Sequence, residues 1–124
     1  MNNRIMVVDD SKAMRMIVRR TLKQAGFGAY DVEEAVNGAD ALQKIRLDPP
    51  KLVLSDWNMP DMSGYELLTK LREEKIDVPF GMITTEGTPE MRAKASQAGA
   101  LFLIAKPFTP DEFARALGTV LKSA

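Results

Sequence analysis

The chain has 124 residues, of which 45% are hydrophobic and 27% are charged, a composition typical of one globular domain and not of a disordered segment. Seventeen basic residues balance seventeen acidic ones, so the charge points to neither a nucleic-acid nor a membrane-surface partner. The sequence contains no cysteine and no histidine, which excludes disulfides, thiol nucleophiles, imidazole bases and zinc sites built on either residue.

Two further exclusions concern membranes and export. No apolar run approaches the roughly 20 residues that a transmembrane helix needs, and residues 1–4 lack the apolar core of a signal peptide. We therefore expect a cytoplasmic protein whose chemistry depends on carboxylates, hydroxyls, lysines and a hard metal ion.

In the first half of the chain, a short strand-like run is followed by an amphipathic segment, and this pattern occurs twice. Apolar residues at helical spacing indicate a first helix, which Gly26 ends. The charged, weakly alternating run at 30–35 is typical of an edge strand. Asn37 can cap the next helix, and Pro49 and Pro50 end it. The predicted elements are a strand at 4–8, a helix at 11–25, an edge strand at 30–35 and a helix from 37 to about 46.

The second half repeats the alternation three times, and two of its helix starts carry a capping box. The boxes are Ser63 with Glu66 and Thr109 with Glu112. Thr88 followed by proline is typical of a helix start, and Gly99 ends that helix. The predicted elements are a strand at 51–55, a helix from 63 through 71, a strand at 78–84, a helix at 88–99, a strand at 101–105 and a helix from 109 through 121.

These patterns predict an α/β fold of five strand–helix pairs, (βα)5, in a single domain spanning residues 1–124 without an output domain. Short apolar strands separated by helices indicate a doubly wound parallel five-stranded sheet that is covered on both faces. Right-handed crossovers leave few ways to wind such a sheet.

Polar side chains follow the carboxyl ends of four of the five predicted strands. They are Asp9 and Asp10, Asp56, Thr84 with Glu86 nearby, and Lys106. Ligands of open parallel sheets bind outside these ends, so we expect the side chains to share one rim. Crowded carboxylates repel one another, and a divalent cation relieves that repulsion. Oxygen ligands without His or Cys favour Mg²⁺, Mn²⁺ or Ca²⁺ over zinc.

The same rim predicts phosphoryl chemistry. Aspartate is a covalent nucleophile toward phosphoryl groups, and a metal ion with a lysine supplies the positioning and charge neutralisation that phosphoryl transfer needs. Lys106 and Thr84 are suited to a tetrahedral anion. The sequence therefore predicts phosphorylation of one aspartate, and Asp56, at the end of the third strand, is the best placed.

With these residues in place, the sequence resembles a response-regulator receiver domain of the two-component systems and is most similar to the single-domain chemotaxis regulators of the CheY type. The resemblance covers residues 5–121. It rests on VVDDS at 7–11, SDWNMPDMSG at 55–64, MITTE at 82–86 and AKPF at 105–108. It implies a flavodoxin-like sheet with the strand order 2-1-3-4-5.

The resemblance also implies a metal site. Asp10 would ligate Mg²⁺, or alternatively Mn²⁺, directly, and Asp9 would lie close by, often acting through a water molecule. Asp56 would be both the phosphoacceptor and a ligand. The backbone carbonyl of Asn58 would be a third ligand.

Further roles come from the resemblance by position. Thr84 would be the switch hydroxyl, and Lys106 would pair with the phosphoryl oxygens, followed by a cis bond to Pro107. Asn58 and Glu86 would flank the phosphoryl group and imply a short-lived phosphorylated state.

The resemblance implies partners as well. The donor would be a phosphohistidine on a sensor kinase of the CheA type, and a flagellar motor switch protein or a phosphatase would be the next partner. The protein would be a monomer that catalyses its own phosphorylation and dephosphorylation, yet is a signalling switch more than an enzyme.

One departure from the family concerns the fifth strand. Leu103 stands where family members usually carry the Tyr or Phe that moves inward with the threonine. Phe102 is adjacent, but alternation along a strand predicts that it points to the opposite face. This departure keeps open a second role, in which the receiver is a phosphate sink or adaptor outside motor control.

Two other classes of protein fit the sequence less well. An aspartyl-nucleophile phosphatase would carry a second acid where Asn58 stands, and a flavin carrier would not place the acidic DDSKA turn of residues 9–13 near a phosphate. Trp57 is expected to be a partly exposed loop aromatic. The basic positions of the first helix predict a solvated face, with kinase docking as the alternative; they are Arg15, Arg19, Arg20 and Lys23.

Overall fold

The computed structural model describes residues 2–122, in which five strands alternate with five α-helices. The elements are β1 Arg4–Val8, α1 Lys12–Leu22, β2 Asp31–Ala35, α2 Gly38–Leu47, β3 Leu52–Asp56, α3 Gly64–Glu73, β4 Phe80–Thr84, α4 Pro89–Ala98, β5 Phe102–Ala105 and α5 Pro110–Leu117. All strand pairs are parallel, and the sheet order is β2-β1-β3-β4-β5. The predicted (βα)5 fold and its strand order are confirmed.

The helices begin where side-chain caps are available. The hydroxyl of Ser11 accepts from the Met14 N–H, and Asn37 accepts from the Asp40 N–H. The two predicted capping boxes both form, at α3 and α5, and Thr88 caps α4 immediately before its proline. These caps satisfy N–H groups that the first turn of a helix leaves without partners.

Gly99 ends α4 as predicted, whereas α1 ends at Leu22, before the predicted Gly26, which interrupts the helical turn that follows. Gly99 has a φ of 110° directly after α4. After α1 the chain continues as a wider helical turn over Lys23–Phe27, in which Gly26 has a φ of 100°. Residues with a Cβ rarely adopt such values, so glycine is favoured at both positions.

The last helix is shorter than predicted. α5 ends at Leu117, not at Leu121, and a turn containing Gly118 follows. Glycine costs about 1 kcal/mol relative to alanine inside a helix, which favours an early end. The Leu121 N–H still donates to the Leu117 carbonyl, and Leu121 stays buried against α5 and the sheet. The apolar pattern predicted burial correctly and helix length wrongly.

Each face of the sheet is covered by its own apolar layer. Along β1, Met6 and Val8 pack with α2, α3 and α4, while Ile5 and Val7 pack with α1 and α5. The central strand β3 is buried at all five positions. This two-sided burial explains why the strands are apolar runs instead of alternating ones.

The fifth strand divides its side chains between the two layers as expected. Leu103 packs on the layer of α2, α3 and α4, whereas Phe102 packs on the opposite one. The Phe102 ring lies across Gly81 of β4, where any Cβ would clash with it. Within residues 2–122, no helix is both long and apolar enough to cross a membrane.

Candidate functional site

Three carboxylates meet at the carboxyl end of the sheet. Asp9, Asp10 and Asp56 each place one oxygen within 4.8 Å of those of the other two. Asp9 and Asp56 are buried, with 4% and 8% of their surface exposed, while Asp10 is exposed. Such a group of oxygens, open to solvent on one side, is the donor set that a hard divalent cation prefers.

Asp9 is held at several points just beyond β1. Its backbone N–H donates to the Ala35 carbonyl at 3.2 Å, which extends the pairing with β2 by one residue. Its carboxylate accepts from the Ser11 N–H at 2.9 Å, and its carbonyl accepts from the guanidinium of Arg15 at 2.7 Å. The acidic turn is therefore fixed through its main chain as well as its side chain.

Lys106 reaches the carboxylates from the end of β5. Its ammonium lies 3.1 Å from Oδ1 of Asp56 and 4.0 Å from Oδ2 of Asp9. Its backbone N–H donates to the Thr84 carbonyl at 2.7 Å, and the bond to Pro107 is cis. The lysine side chain is only 15% exposed, so its charge is directed into the cluster and not into solvent.

The loop that follows Asp56 is anchored on both sides. The Trp57 N–H donates to the Ile83 carbonyl of β4 at 2.8 Å, and the Gly64 N–H donates to the Trp57 carbonyl at 2.9 Å. A Cβ on Gly64 would overlap the Asp56 carbonyl, so α3 can start this close to β3 only with glycine at that position. Asn58 lies in this loop and is exposed.

Burial raises the pKa values of the two buried aspartates. For Asp56, burial is opposed mainly by the hydrogen bond from Lys106. For Asp9, burial is opposed by the Ser11 N–H and reinforced by the neighbouring Asp56 charge. Both carboxylates are thus less stable in the ionised form here than in water, and a bound cation would reverse that effect.

Thr84 and Glu86 occupy the neighbouring strand end. Thr84 is fully buried, one residue beyond Ile83, which is the partner of Asp56 in the β3–β4 register. Its hydroxyl accepts from the Glu86 N–H at 3.1 Å. The Glu86 side chain is exposed. The structure therefore gathers Asp9, Asp10 and Asp56, pairs Lys106 with Asp56 and Asp9, and places Thr84, Asn58 and Glu86 on the adjoining loops and strand end.

Comparison with known proteins agrees with this arrangement. The family model of the response regulator receiver domain matches residues 5–118. The chain belongs to this receiver family. It is 40% identical over 121 residues to chemotaxis protein CheY1 of Helicobacter pylori, covering 95% of this chain and 96% of that protein.

Two further relatives support the assignment. The receiver is 41% identical to a chemotaxis protein CheY homolog of Campylobacter jejuni, covering 95% of this chain and 92% of that protein. Among solved structures, chemotaxis protein CheY4 of Vibrio cholerae superimposes with a TM-score of 0.84 at 35% identity, covering 98% of this chain and all of that one.

Trp57 of this receiver is buried, so the expectation of a partly exposed aromatic is wrong. Only 8% of its surface is exposed. Its ring stacks on Tyr65 of α3, with centroids 5.7 Å apart and planes inclined by 13°, and Lys94 of α4 lies 4.4 Å above the Tyr65 ring. The close start of α3 provides this cover, which residue order alone did not reveal.

Arg15 was misassigned to a solvated face. It is buried, and it pairs with Glu34 of β2 at 2.7 Å, whereas Arg20 and Lys23 are exposed as expected. The sequence did contain a signal for this: Arg15 precedes the buried Val18 and Leu22 at spacings of three and seven residues, which places all three on one helix face.

Proposed function

We propose that this receiver accepts a phosphoryl group on Asp56 from a phosphohistidine of a CheA-type sensor kinase, in a Mg²⁺-dependent reaction, and that this modification switches a protein-interaction surface in chemotaxis signalling. The observation that carries the proposal is the Asp56 carboxylate, which lies within hydrogen-bond distance of Lys106 and beside two further carboxylates. We also propose that the protein acts as a monomer in the cytoplasm.

The metal site of the proposal uses the three clustered carboxylates. Asp9, Asp10 and Asp56 would hold Mg²⁺, or Mn²⁺ in its place, with the Asn58 carbonyl as a further ligand. All the donors are oxygens, which fits these hard cations. When bound, the cation would offset the negative charge that accumulates on the phosphoryl oxygens.

In the proposed transfer, a carboxylate oxygen of Asp56 attacks the phosphorus of the phosphohistidine. An O–P bond forms as the P–N bond breaks, and the imidazole nitrogen keeps the bonding electron pair. Lys106, now paired with Asp56, turns its ammonium toward the phosphoryl oxygens. This chemistry needs no general base, which fits a chain without histidine.

Dephosphorylation returns Asp56 to a free carboxylate. A water oxygen attacks the phosphorus and the P–O bond to Asp56 breaks, so that Asp56 keeps the electron pair as a carboxylate. Inorganic phosphate leaves, and the protons of the water stay on it or pass to solvent. Asn58 and Glu86 are exposed residues of the adjoining loops, and we propose that their side chains contact that water or the phosphoryl group. We expect a short-lived phosphorylated state on this basis, and a half-life of many hours in Mg²⁺-saturated protein would contradict it.

The switch begins at Thr84. Its hydroxyl accepts from the Glu86 N–H, and donation of its proton to a phosphoryl oxygen would pull on that loop. Leu103 has no hydroxyl to add to this movement. Arg92 of α4 instead bridges the loop and β5, because it donates to the Gly87 carbonyl at 3.3 Å and to the Leu103 carbonyl at 3.1 Å. The affected surface would be that of α4, β5 and α5.

The decisive experiment combines mass and fluorescence. The protein is incubated with Mg²⁺ and either acetyl phosphate or beryllofluoride, and intact mass and Trp57 emission are recorded. We expect the mass increase of one phosphoryl group with acetyl phosphate and a metal-dependent fluorescence change with both. The matched control is Asp56→Asn, which keeps the shape of the side chain. An unchanged response in that variant would defeat the proposal.

A second candidate function is a phosphate sink or adaptor, which Leu103 favours because the usual aromatic is missing. A pull-down of beryllofluoride-treated protein with a flagellar switch peptide separates the two roles. Capture only in the treated state supports the motor role. If the protein is phosphorylated normally but its treated form does not capture the peptide, the phosphate-sink role is supported. The phosphatase alternative remains disfavoured, because Asn58 stands where its second acid is required.

A further inference from the structure

A buried arginine joins the acidic turn to the neighbouring edge strand. We infer that Arg15 is a positioning residue that sets the geometry of the Asp9–Asp10 turn and thereby tunes its affinity for a divalent cation. The inference rests on the proposed metal site and names a residue of α1 that regulates it. Arg15 donates to the Asp9 carbonyl and to Glu34, not to a carboxylate oxygen of the proposed metal site.

The guanidinium of Arg15 makes two contacts of different kinds. Its Nη1 donates to the backbone carbonyl of Asp9 at 2.7 Å, and its Nε donates to Oε1 of Glu34 at 2.7 Å. The arginine side chain is 10% exposed and its bond to the Asp9 carbonyl is buried, so water competes little with that bond. One rigid, planar group therefore spans the distance between β2 and the acidic turn.

The choice of acceptor is important for metal binding. Arg15 donates to the main chain of Asp9 and leaves the carboxylate oxygens of that residue to Ser11, to Lys106 and to a cation. A positive group placed on those oxygens would compete with the metal. In the observed arrangement, Arg15 restrains the turn without occupying a ligand atom.

Glu34 holds the Arg15 side chain in place and also binds Arg19, which can therefore serve as a control for Arg15. Its second oxygen, Oε2, accepts from Arg19 at 3.3 Å, so two arginines of α1 share one carboxylate. Arg19 otherwise donates to the Val32 carbonyl and makes no hydrogen bond to the acidic turn. Removing either arginine costs Glu34 a partner, but only the loss of Arg15 releases the Asp9 carbonyl.

The test compares the Mg²⁺ affinity of the wild type with Arg15→Met, Arg15→Lys and the matched control Arg19→Met. Affinity is read from Trp57 fluorescence and, independently, from the Mg²⁺-dependent rise in melting temperature. We expect Arg15→Met to weaken Mg²⁺ binding about tenfold, the lower end for residues that support metal ligands. Arg15→Lys should also weaken it, since one ammonium cannot bridge both acceptors. The Mg²⁺ affinity of Arg19→Met should stay within about twofold of the wild-type value, since Arg19 makes no hydrogen bond to the acidic turn.

A second readout separates positioning from damage to the fold. At saturating Mg²⁺, phosphorylation of Arg15→Lys by acetyl phosphate should recover to the wild-type rate, whereas at low Mg²⁺ it should fall with the metal affinity. If Arg15→Met does not fold, Arg15→Lys alone decides the question, because its charge is retained.

Three results would overturn the inference. Unchanged Mg²⁺ affinity in folded Arg15→Lys and Arg15→Met would remove the positioning role. Equal weakening in Arg15→Met and Arg19→Met would assign the effect to the Glu34 pair and not to the Asp9 carbonyl. A wild type that does not bind Mg²⁺ would defeat the proposed metal site as well, which distinguishes that failure from the first two.

Discussion

At the residue scale, the site is built from groups that oppose folding. Asp9 and Asp56 are carboxylates buried side by side, and burial is the main reason that their pKa values are raised. Lys106 compensates for Asp56 only in part. A group of charges held together in this way stores an unfavourable interaction that a bound cation can relieve, which is a frequent property of functional sites.

The first prediction concerns the loss of stability that results from burying the ionised Asp9 carboxylate. An acid whose pKa is raised by folding ionises first in the unfolded chain, so the free energy of unfolding falls as pH rises from the ordinary carboxyl range to the raised value. Above that window the penalty is constant. We therefore expect Asp9→Asn, without divalent cations, to be more stable than wild type at neutral pH and equally stable at low pH.

Urea denaturation at several pH values measures this difference. The matched control is Asp77→Asn, because it removes a carboxylate whose side chain is fully exposed. A gain of equal size in both variants, or a loss in Asp9→Asn at neutral pH, would contradict the assigned cause.

At the element scale, the start of α3 positions the loop that follows Asp56. Its capping box sets where the helix begins, and Gly64 lets that first turn lie against the end of β3. The same close approach covers Trp57 with Tyr65. The capping box and the tight contact at Gly64 together orient Trp57, the residue that directly follows Asp56.

The second prediction is that Gly64→Ala destabilises the protein. Alanine normally favours a helix over glycine, but this Cβ would press on the Asp56 carbonyl, with Met82 Sδ at 2.9 Å and Ser55 Oγ at 3.0 Å. Overpacking of this kind costs about 1–3 kcal/mol. Denaturant unfolding measures it, and phosphorylation should slow as the loop shifts.

Gly28→Ala is the control for the alanine substitution itself. At Gly28 the φ is −68°, and the nearest atom to a Cβ is the flexible Lys23 Cγ at 3.3 Å. Stability there should stay the same or rise by about 0.5 kcal/mol. If both variants behaved alike, the tight contact at Gly64 would not be the cause.

The third prediction concerns the link between α4 and β5. Arg92→Met removes the donors to the Gly87 and Leu103 carbonyls and should lower stability by about 1 kcal/mol. Amide exchange in residues 85–88 should accelerate, while Mg²⁺ affinity stays near the wild-type value. Lys94→Met, on the same helix and over Tyr65, should leave that loop unchanged. Unaltered exchange in Arg92→Met would refute the proposed link.

At the scale of the whole molecule, the sheet gathers groups that are far apart in the chain. Asp56 and Lys106 are 50 residues apart and meet at 3.1 Å, because β3 and β5 both flank β4. The apolar layers on the two faces hold these strands in register. Cation binding at the strand ends should therefore be coupled to global stability.

The fourth prediction quantifies this coupling. A ligand that binds only the folded state at ten times its Kd stabilises it by about 1.4 kcal/mol. We expect that gain from Mg²⁺ in thermal or urea unfolding of the wild type and a clearly smaller one in Asp56→Asn, in which an amide replaces a proposed carboxylate ligand. A gain of the same size in both proteins would show that Mg²⁺ acts elsewhere.

Much of the fold was predictable because its signals are local. Capping residues at Asn37, Ser63, Thr88 and Thr109 predicted where four of the helices begin, and apolar runs predicted the strands. Prediction failed where a local pattern competes with packing. The helix length after Leu117 is one example, and the burial of Trp57 is another.

The sequence by itself determined the fold class, the strand ends and the residue types that gather there, because hydrophobic period and helix caps act over a few residues. The strand order followed only from the resemblance to the receiver family. Only the tertiary structure decided that Lys106 pairs with Asp56, that Arg15 is buried against the Asp9 carbonyl and that Trp57 lies under Tyr65. These are contacts between elements, and their distances depend on how two packed layers fit on one sheet, which no local pattern encodes.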